Sequence, residues 1–281
     1  MKIPFLKAHG AKNDFLLTWS DQAPVESLPE IARAICDRHT GVGADGWLLV
    51  ERPSTEREKF GAAIRLINSD GSDAEMSGNG TRCAAAFLIH YGLAANELRI
   101  LTGAGIKHLR LLDRDGLHFT FEMNMGAPEI CELTFALPLS AGPRDVTLVW
   151  VGNPQCAVPV ENFDFDWRKM GAEIEGHPHF PKRTNVSFFR AVGGHTLDVR
   201  FYERGAGETM SSGTGSTGAV AAAAARGMVN SPVLVQTLAG PLELRWDTKI
   251  TNDLYLLGPA EIVAEGAFHY EKITPDEQRT S

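Results

Sequence analysis

Apolar and polar residues alternate in short runs along most of this chain, the period of two that marks half-buried strands. Residues 63–67, 109–113, 117–122 and 197–202 all read this way, and the middle two flank Arg114-Asp115-Gly116, a turn that predicts a β-hairpin. Helical spacing is rarer. One amphipathic helix is expected over 28–38 and a second over 167–174. Two Ala-rich segments, 81–91 before Gly92 and 216–226 before Gly227, read as helices stopped by a C-terminal glycine. Runs of strands outnumber strand–helix alternations, so the fold class expected is α+β with a largely antiparallel sheet.

The pattern also repeats. Ser77-Gly78-Asn79-Gly80 precedes the first Ala-rich segment, and Ser212-Gly213-Thr214-Gly215 precedes the second, 135 residues further on. Nine positions before each serine stands a polar residue, Asn68 or Glu203, at the end of an alternating run. Gly10-Ala11-Lys12-Asn13 and Gly152-Asn153 form a weaker third correspondence. An internal duplication follows, with one half expected over 1–120 plus 266–281 and the other over 121–265. A Gly-rich segment feeding a helix offers unpaired N–H groups and the positive end of the helix dipole, a ready anion site. Two such sites facing each other suit a carboxylate held between two opposed proton-handling groups.

Length and composition narrow the classes. At 281 residues, 43% apolar and 22% charged, the chain is long enough for two domains and ordinary enough to exclude disorder. Its 28 glycines are an excess, and they gather in a few short segments. A net charge of −8 without a basic patch argues against nucleic acid as partner. The N-terminus has no signal-peptide core and no apolar stretch approaches the roughly 20 residues that cross a bilayer, so no membrane is expected and the cytoplasm is the expected compartment. Cys36, Cys83, Cys131 and Cys156 form no C-x-x-C pair, so disulfides are not expected, and His177-Pro178-His179 lacks companions for a metal site. Gly41-Val42-Gly43-Ala44-Asp45-Gly46 and Gly213–Gly218 match G-x-G-x-x-G, but the first lies between helix and strand in the wrong order and the second lacks the later acidic residue, so no nucleotide cofactor is expected.

Longer blocks carry a specific resemblance. His9-Gly10-Ala11-Lys12-Asn13-Asp14-Phe15, the run from Asn68 through Asp70-Gly71-Ser72 to Cys83, Gly152-Asn153-Pro154, and Tyr202-Glu203-Arg204-Gly205-Ala206-Gly207-Glu208-Thr209 before Ser212 together resemble the diaminopimelate epimerase family, in order and across essentially the whole chain. The resemblance implies two similar domains, each an antiparallel sheet wrapped around a central helix, with the active site in the cleft between them. It implies an isomerase that interconverts LL- and meso-2,6-diaminopimelate, an amino-acid substrate on the route to lysine and peptidoglycan, by two-base α-proton transfer without pyridoxal phosphate or metal, and a homodimer.

The family's two cysteine bases fall here on Ser77 and Ser212, its usual histidine on Gln155 and its usual glutamine on Gly46. Asn13, Asn68, Asn153, Asn185, Glu203 and Arg204 match positions that bind the substrate's amino and carboxylate groups, Arg204 with a fork suited to a distal carboxylate. The backbone donors of Gly78, Asn79, Gly213 and Thr214 match the α-carboxylate cradle. Because a serine hydroxyl is a far weaker acid than a thiol and needs a neighbouring base, two further readings stay open at this point: a divergent member that dehydrates or isomerises another small amino acid, and an amino-acid-binding protein impaired in turnover.

Overall fold

The structure is a computed structural model and describes residues 1–53, 61–246 and 252–271; the expected membership of 272–281 in the first half lies outside the described residues. Ten strands and two α-helices come first: β1 (Lys2–Gly10), β2 (Asn13–Trp19), α1 (Leu28–Cys36), β3 (Gly46–Val50), β4 (Ala62–Asn68), β5 (Asp73–Ala74), α2 (Gly78–His90), β6 (Glu97–Thr102), β7 (Gly105–Asp115), β8 (His118–Gly126), β9 (Glu129–Leu137) and β10 (Arg144–Trp150). There follow β11 (Pro154–Pro159), α3 (Trp167–Glu175), β12 (Asn185–Gly193), β13 (Thr196–Glu203), β14 (Gly207–Thr209), α4 (Gly213–Ala225), β15 (Val233–Thr237), β16 (Gly240–Trp246) and β17 (Leu254–His269). The α+β class is as the alternation implies, and the hairpin turns at Gly116 with φ +59°.

Pairing makes the duplication explicit. β2 pairs β3 in parallel and β4 pairs β6 in parallel; one half-chain later β11 pairs β12 and β13 pairs β15 in the same sense, while the remaining ladders are antiparallel. The first half closes into an eight-stranded barrel through β17, which pairs β1 along 261–269 and β8 along 254–261. In the second half β10 pairs β9 and β16 pairs β17, as β1 pairs β17 and β7 pairs β8 in the first. β17 thus lines both halves, and the β8–β17 ladder joins them.

Each barrel is filled by one Ala-rich helix. α2 and α4 are buried over their first eleven residues, which suits helices without a polar face. Small side chains let strand residues such as Phe119, Phe121, Phe189 and Phe201 close on them in a core shared by both halves. α1 and α3 cover the outside, α1 on Leu16, Trp47 and Ile67, α3 on Val158, Val186 and Phe188. Strand β3, covered on both faces, is buried at every position, a continuous apolar run for that reason.

Both inner helices begin three residues earlier than the glycine pattern suggests. Ser77 and Ser212 are themselves the N-caps, in extended backbone, and each side chain accepts a hydrogen bond from the N–H three residues on, Gly80 at 3.1 Å and Gly215 at 3.0 Å. Gly78, Gly80, Gly213 and Gly215 therefore belong to the first helical turns rather than to preceding loops.

Candidate functional site

The two helix N-termini meet head to head. A Cβ placed on Gly78 would lie 3.2 Å from the Gly213 Cα, and one on Gly213 would lie 3.1 Å from the Gly78 Cα. Only glycine allows this approach, which aims two sets of free N–H groups and two helix dipoles at one region. Asn79 ties the turns together: its Nδ2 donates to Asn13 Oδ1 at 3.1 Å and to the Ser211 carbonyl at 3.2 Å. Arg82, fully buried, donates to Asn79 Oδ1, to the Gly78 carbonyl and to the Pro259 carbonyl. Burial lowers its guanidinium to about 10, still charged at neutral pH, and places a cation behind the same turn.

In front of these termini lies a cleft lined by Asn13, Asn68, Ser77, Asn153, Asn185, Glu203 and Arg204, together with Phe15, Asp45, Leu66, Glu75, Met76 and Thr209. Registers relate the two walls. Phe15 pairs Gly46 where Gln155 pairs Asn185, Asn13 and Asn153 each stand two residues before, and Asn68 and Glu203 end equivalent strands. Gly78, Asn79, Ser212, Gly213 and Thr214 do not line this cavity; Ser212 lies behind Glu203, to which it is bonded.

The two serines differ in what stands behind them. Ser212 is buried, and its Oγ donates to Glu203 Oε1 at 2.6 Å while Thr209 Oγ1 donates to Glu203 Oε2 at 2.7 Å. Burial pushes the Glu203 carboxyl above its ordinary value, although both hydroxyl donors work the other way. Among the described residues Ser77 bonds to no such carboxylate: at the equivalent position Asn68 donates to Ser72 Oγ at 3.1 Å. Neither cysteine near the inner helices substitutes. Burial pushes the Cys83 thiol up to about 12, and Cys156 rises further, so both stay protonated at neutral pH.

Several residues expected to hold substrate also hold one another. Asn13 Nδ2 donates to Asp45 Oδ2 at 2.6 Å, and Asn185 accepts from the Arg204 N–H at 3.1 Å while donating to the Pro154 carbonyl at 3.0 Å. Gln155, in place of the family's histidine, is buried and donates to Asn153 Oδ1 at 2.7 Å, with its own Oε1 unpartnered. A Cβ on Gly46 would meet Leu66 Cδ1 at 3.0 Å and the Ile67 carbonyl at 3.1 Å, so apolar side chains already fill the space where the family's glutamine would start.

Sequence reasoning passed over Asp45, Glu75 and Thr209. Asp45 is held by Arg38 at 2.7 Å beside Asp14, which itself pairs Arg38 and Lys7. Burial and the neighbouring Asp14 charge raise Asp45; burial also works to raise Asp14, but hydrogen bonds from Arg38 and Lys7 win and lower it. Glu75 forms an ion pair with Arg204 across the cleft. The signal available for Asp45 was its place between two glycines at the head of a strand.

The chain matches the diaminopimelate epimerase family model over residues 5–131 and 147–263. It is 37% identical to the diaminopimelate epimerase of Pelotomaculum thermopropionicum over 95% of this chain and 99% of that protein, and 39% identical to that of Moorella thermoacetica over 94% and 98%. Among solved structures, a hydroxyproline epimerase from Agrobacterium vitis superposes with a TM-score of 0.73 at 16% identity, covering 95% of this chain and 92% of that one. A methylitaconate-Δ-isomerase superposes with a TM-score of 0.67 at 14% identity, covering 98% and 99%. The solved structures share the fold, the duplicated barrels and cleft agree with it, and on the sequence match the chain belongs to the diaminopimelate epimerase family.

Proposed function

We propose that this chain is an isomerase that moves the α-proton of 2,6-diaminopimelate between its LL and meso forms, with the Ser212–Glu203 pair as the stronger of two unequal proton-handling arms. The observation that carries this is the 2.6 Å bond from Ser212 Oγ to a buried carboxylate whose proton affinity is raised. As Ser212 Oγ accepts the α-proton, its own proton passes to Glu203, so no free alkoxide forms. The charge left on the α-carbon spreads into the α-carboxylate, which in this reading the N–H groups of Gly78, Asn79, Gly213 and Thr214 hold, with two helix dipoles and the Arg82 cation behind them. Ser77 delivers a proton from the opposite face, its oxyanion held by the Gly80 N–H and the dipole of α2 until solvent water reprotonates it, and the proton on Glu203 passes to water in turn. Arg204, Asn68, Asn153 and Asn185 hold the distal amino-acid end.

In the cell this reading places the chain in the cytoplasm, in the synthesis of lysine and peptidoglycan precursors, as a homodimer. Among the described residues no helix is long and apolar enough to cross a membrane. The test is NMR of LL-diaminopimelate incubated with the chain: meso product is expected, and Glu203→Gln should slow its appearance at least about a hundredfold. An unchanged rate in that variant removes Glu203 from the chemistry. The single carboxylate-backed serine also suits eliminations that need one proton acceptor, and a panel of hydroxyproline-type substrates giving keto acid but no meso-diaminopimelate would favour that reading instead.

A further inference from the structure

The cleft is narrow. Its volume is about 50 Å³, against the roughly 300–1,000 Å³ of sites that enclose small molecules. An ion pair spans it. Glu75, from the segment between β5 and α2, reaches across to the Arg204 guanidinium of the other half. Among the described residues, Arg204 is otherwise anchored within its own half, by its N–H to Asn185 Oδ1 and by Nη1 to the Lys182 carbonyl at 3.3 Å. Glu75 in turn has a fixed backbone: a Cβ on Gly103 would lie 2.8 Å from the Glu75 carbonyl oxygen, so the turn between β6 and β7 packs directly on it. The Arg204 segment also meets the turn between β4 and β5, where a Cβ on Gly205 would come 2.9 Å from Asp70 Oδ2.

We propose that Glu75 is a specificity-determining residue, a built-in carboxylate that occupies Arg204 in the narrow cleft and must be displaced there by the distal carboxylate of the substrate. This rests on the reading of Arg204 as the distal anchor. One guanidinium fork takes one carboxylate in bidentate fashion, and the narrow cleft has no room for a second. Exchange of Glu75 for a substrate carboxylate leaves Arg204 paired throughout. A ligand without that carboxylate can release Glu75 only by leaving Arg204 partly buried and unpaired, which is unfavourable. The pair therefore selects dicarboxylic over monocarboxylic amino acids, and a dicarboxylate opens the contact that spans the cleft.

Calorimetry with two ligands tests this: LL-diaminopimelate, and L-lysine, which is the same diamine chain lacking the distal carboxylate. Glu75→Gln is expected to tighten diaminopimelate about three- to tenfold, the scale of a half-exposed ion pair removed from competition, and to leave lysine no tighter. Arg204→Met should abolish the preference between the two ligands. Equal tightening of both ligands, or no gain for diaminopimelate in Glu75→Gln, overturns the exchange while leaving the proposed function standing. Absence of binding by either ligand to every form removes the proposed function, and the exchange falls with it.

Discussion

Ser77 and Ser212 occupy equivalent N-caps, yet Glu203 bonds Ser212 while its counterpart Asn68 bonds Ser72 instead of Ser77. That single difference, visible in the sequence as two residues nine positions before each serine, decides which serine can pass a proton on. The bond itself was not legible, because the distance depends on β13 ending beside the first turn of α4. Two predictions belong to this scale. The first concerns pH. Folded Glu203 binds its proton more tightly than unfolded Glu203, so it costs no stability below the ordinary glutamate range and an increasing amount as pH rises through its raised folded value. Glu203→Gln should therefore melt higher than the native chain at pH 8 and lose that advantage near pH 4, in thermal denaturation across pH; a difference independent of pH would contradict the buried charge. The second concerns the caps. Ser77→Ala should cost about 1 kcal/mol in denaturant unfolding, the usual loss of a capping oxygen, whereas Ser77→Cys should raise turnover.

At the scale of elements, the helix termini carry the site. Glycine clusters suggested loops, but a cap oxygen and a following N–H three residues on start a helix whatever the propensity of the residues between. Here propensity yields to geometry, because only bare backbone lets α2 and α4 approach to within contact at Gly78 and Gly213. Gly78→Ala separates two effects. Alanine inside a helix is favoured over glycine by up to about 1 kcal/mol, so stability should change little once strain is offset. The added methyl must push the termini apart by a few tenths of an ångström or more, and misplacement on the order of 1 Å can cost about a hundredfold in rate. Steady-state kinetics beside thermal melting should thus show activity lost without unfolding; full activity would mean that the head-to-head contact does not matter.

Over the whole molecule, the duplication was legible because both copies kept serine, glycines and alanines at the same spacing. The closing of the first barrel by strands from both ends of the chain was not, since register between β17 and β1 links residues such as Lys2 and His269 that share no local pattern. Nor was the Glu75–Arg204 pair, whose partners lie 129 residues apart. Because the β8–β17 ladder and a shared core join the halves, calorimetry should show one cooperative unfolding transition rather than two. Two resolved transitions would mean that the halves fold as independent units.

The unequal arms are tested most directly by incubating LL- and meso-diaminopimelate separately in deuterated water and comparing α-deuterium incorporation with inversion by NMR. Glu203 is an oxygen acid whose proton exchanges with water whenever the cleft opens, while Ser77 returns protons slowly. One isomer should therefore gain deuterium with retained configuration faster than it inverts, and Ser77→Cys should bring the two rates together. Equal rates of exchange and inversion from both isomers in the native chain would contradict the assignment of Ser212 and Glu203 as the stronger arm.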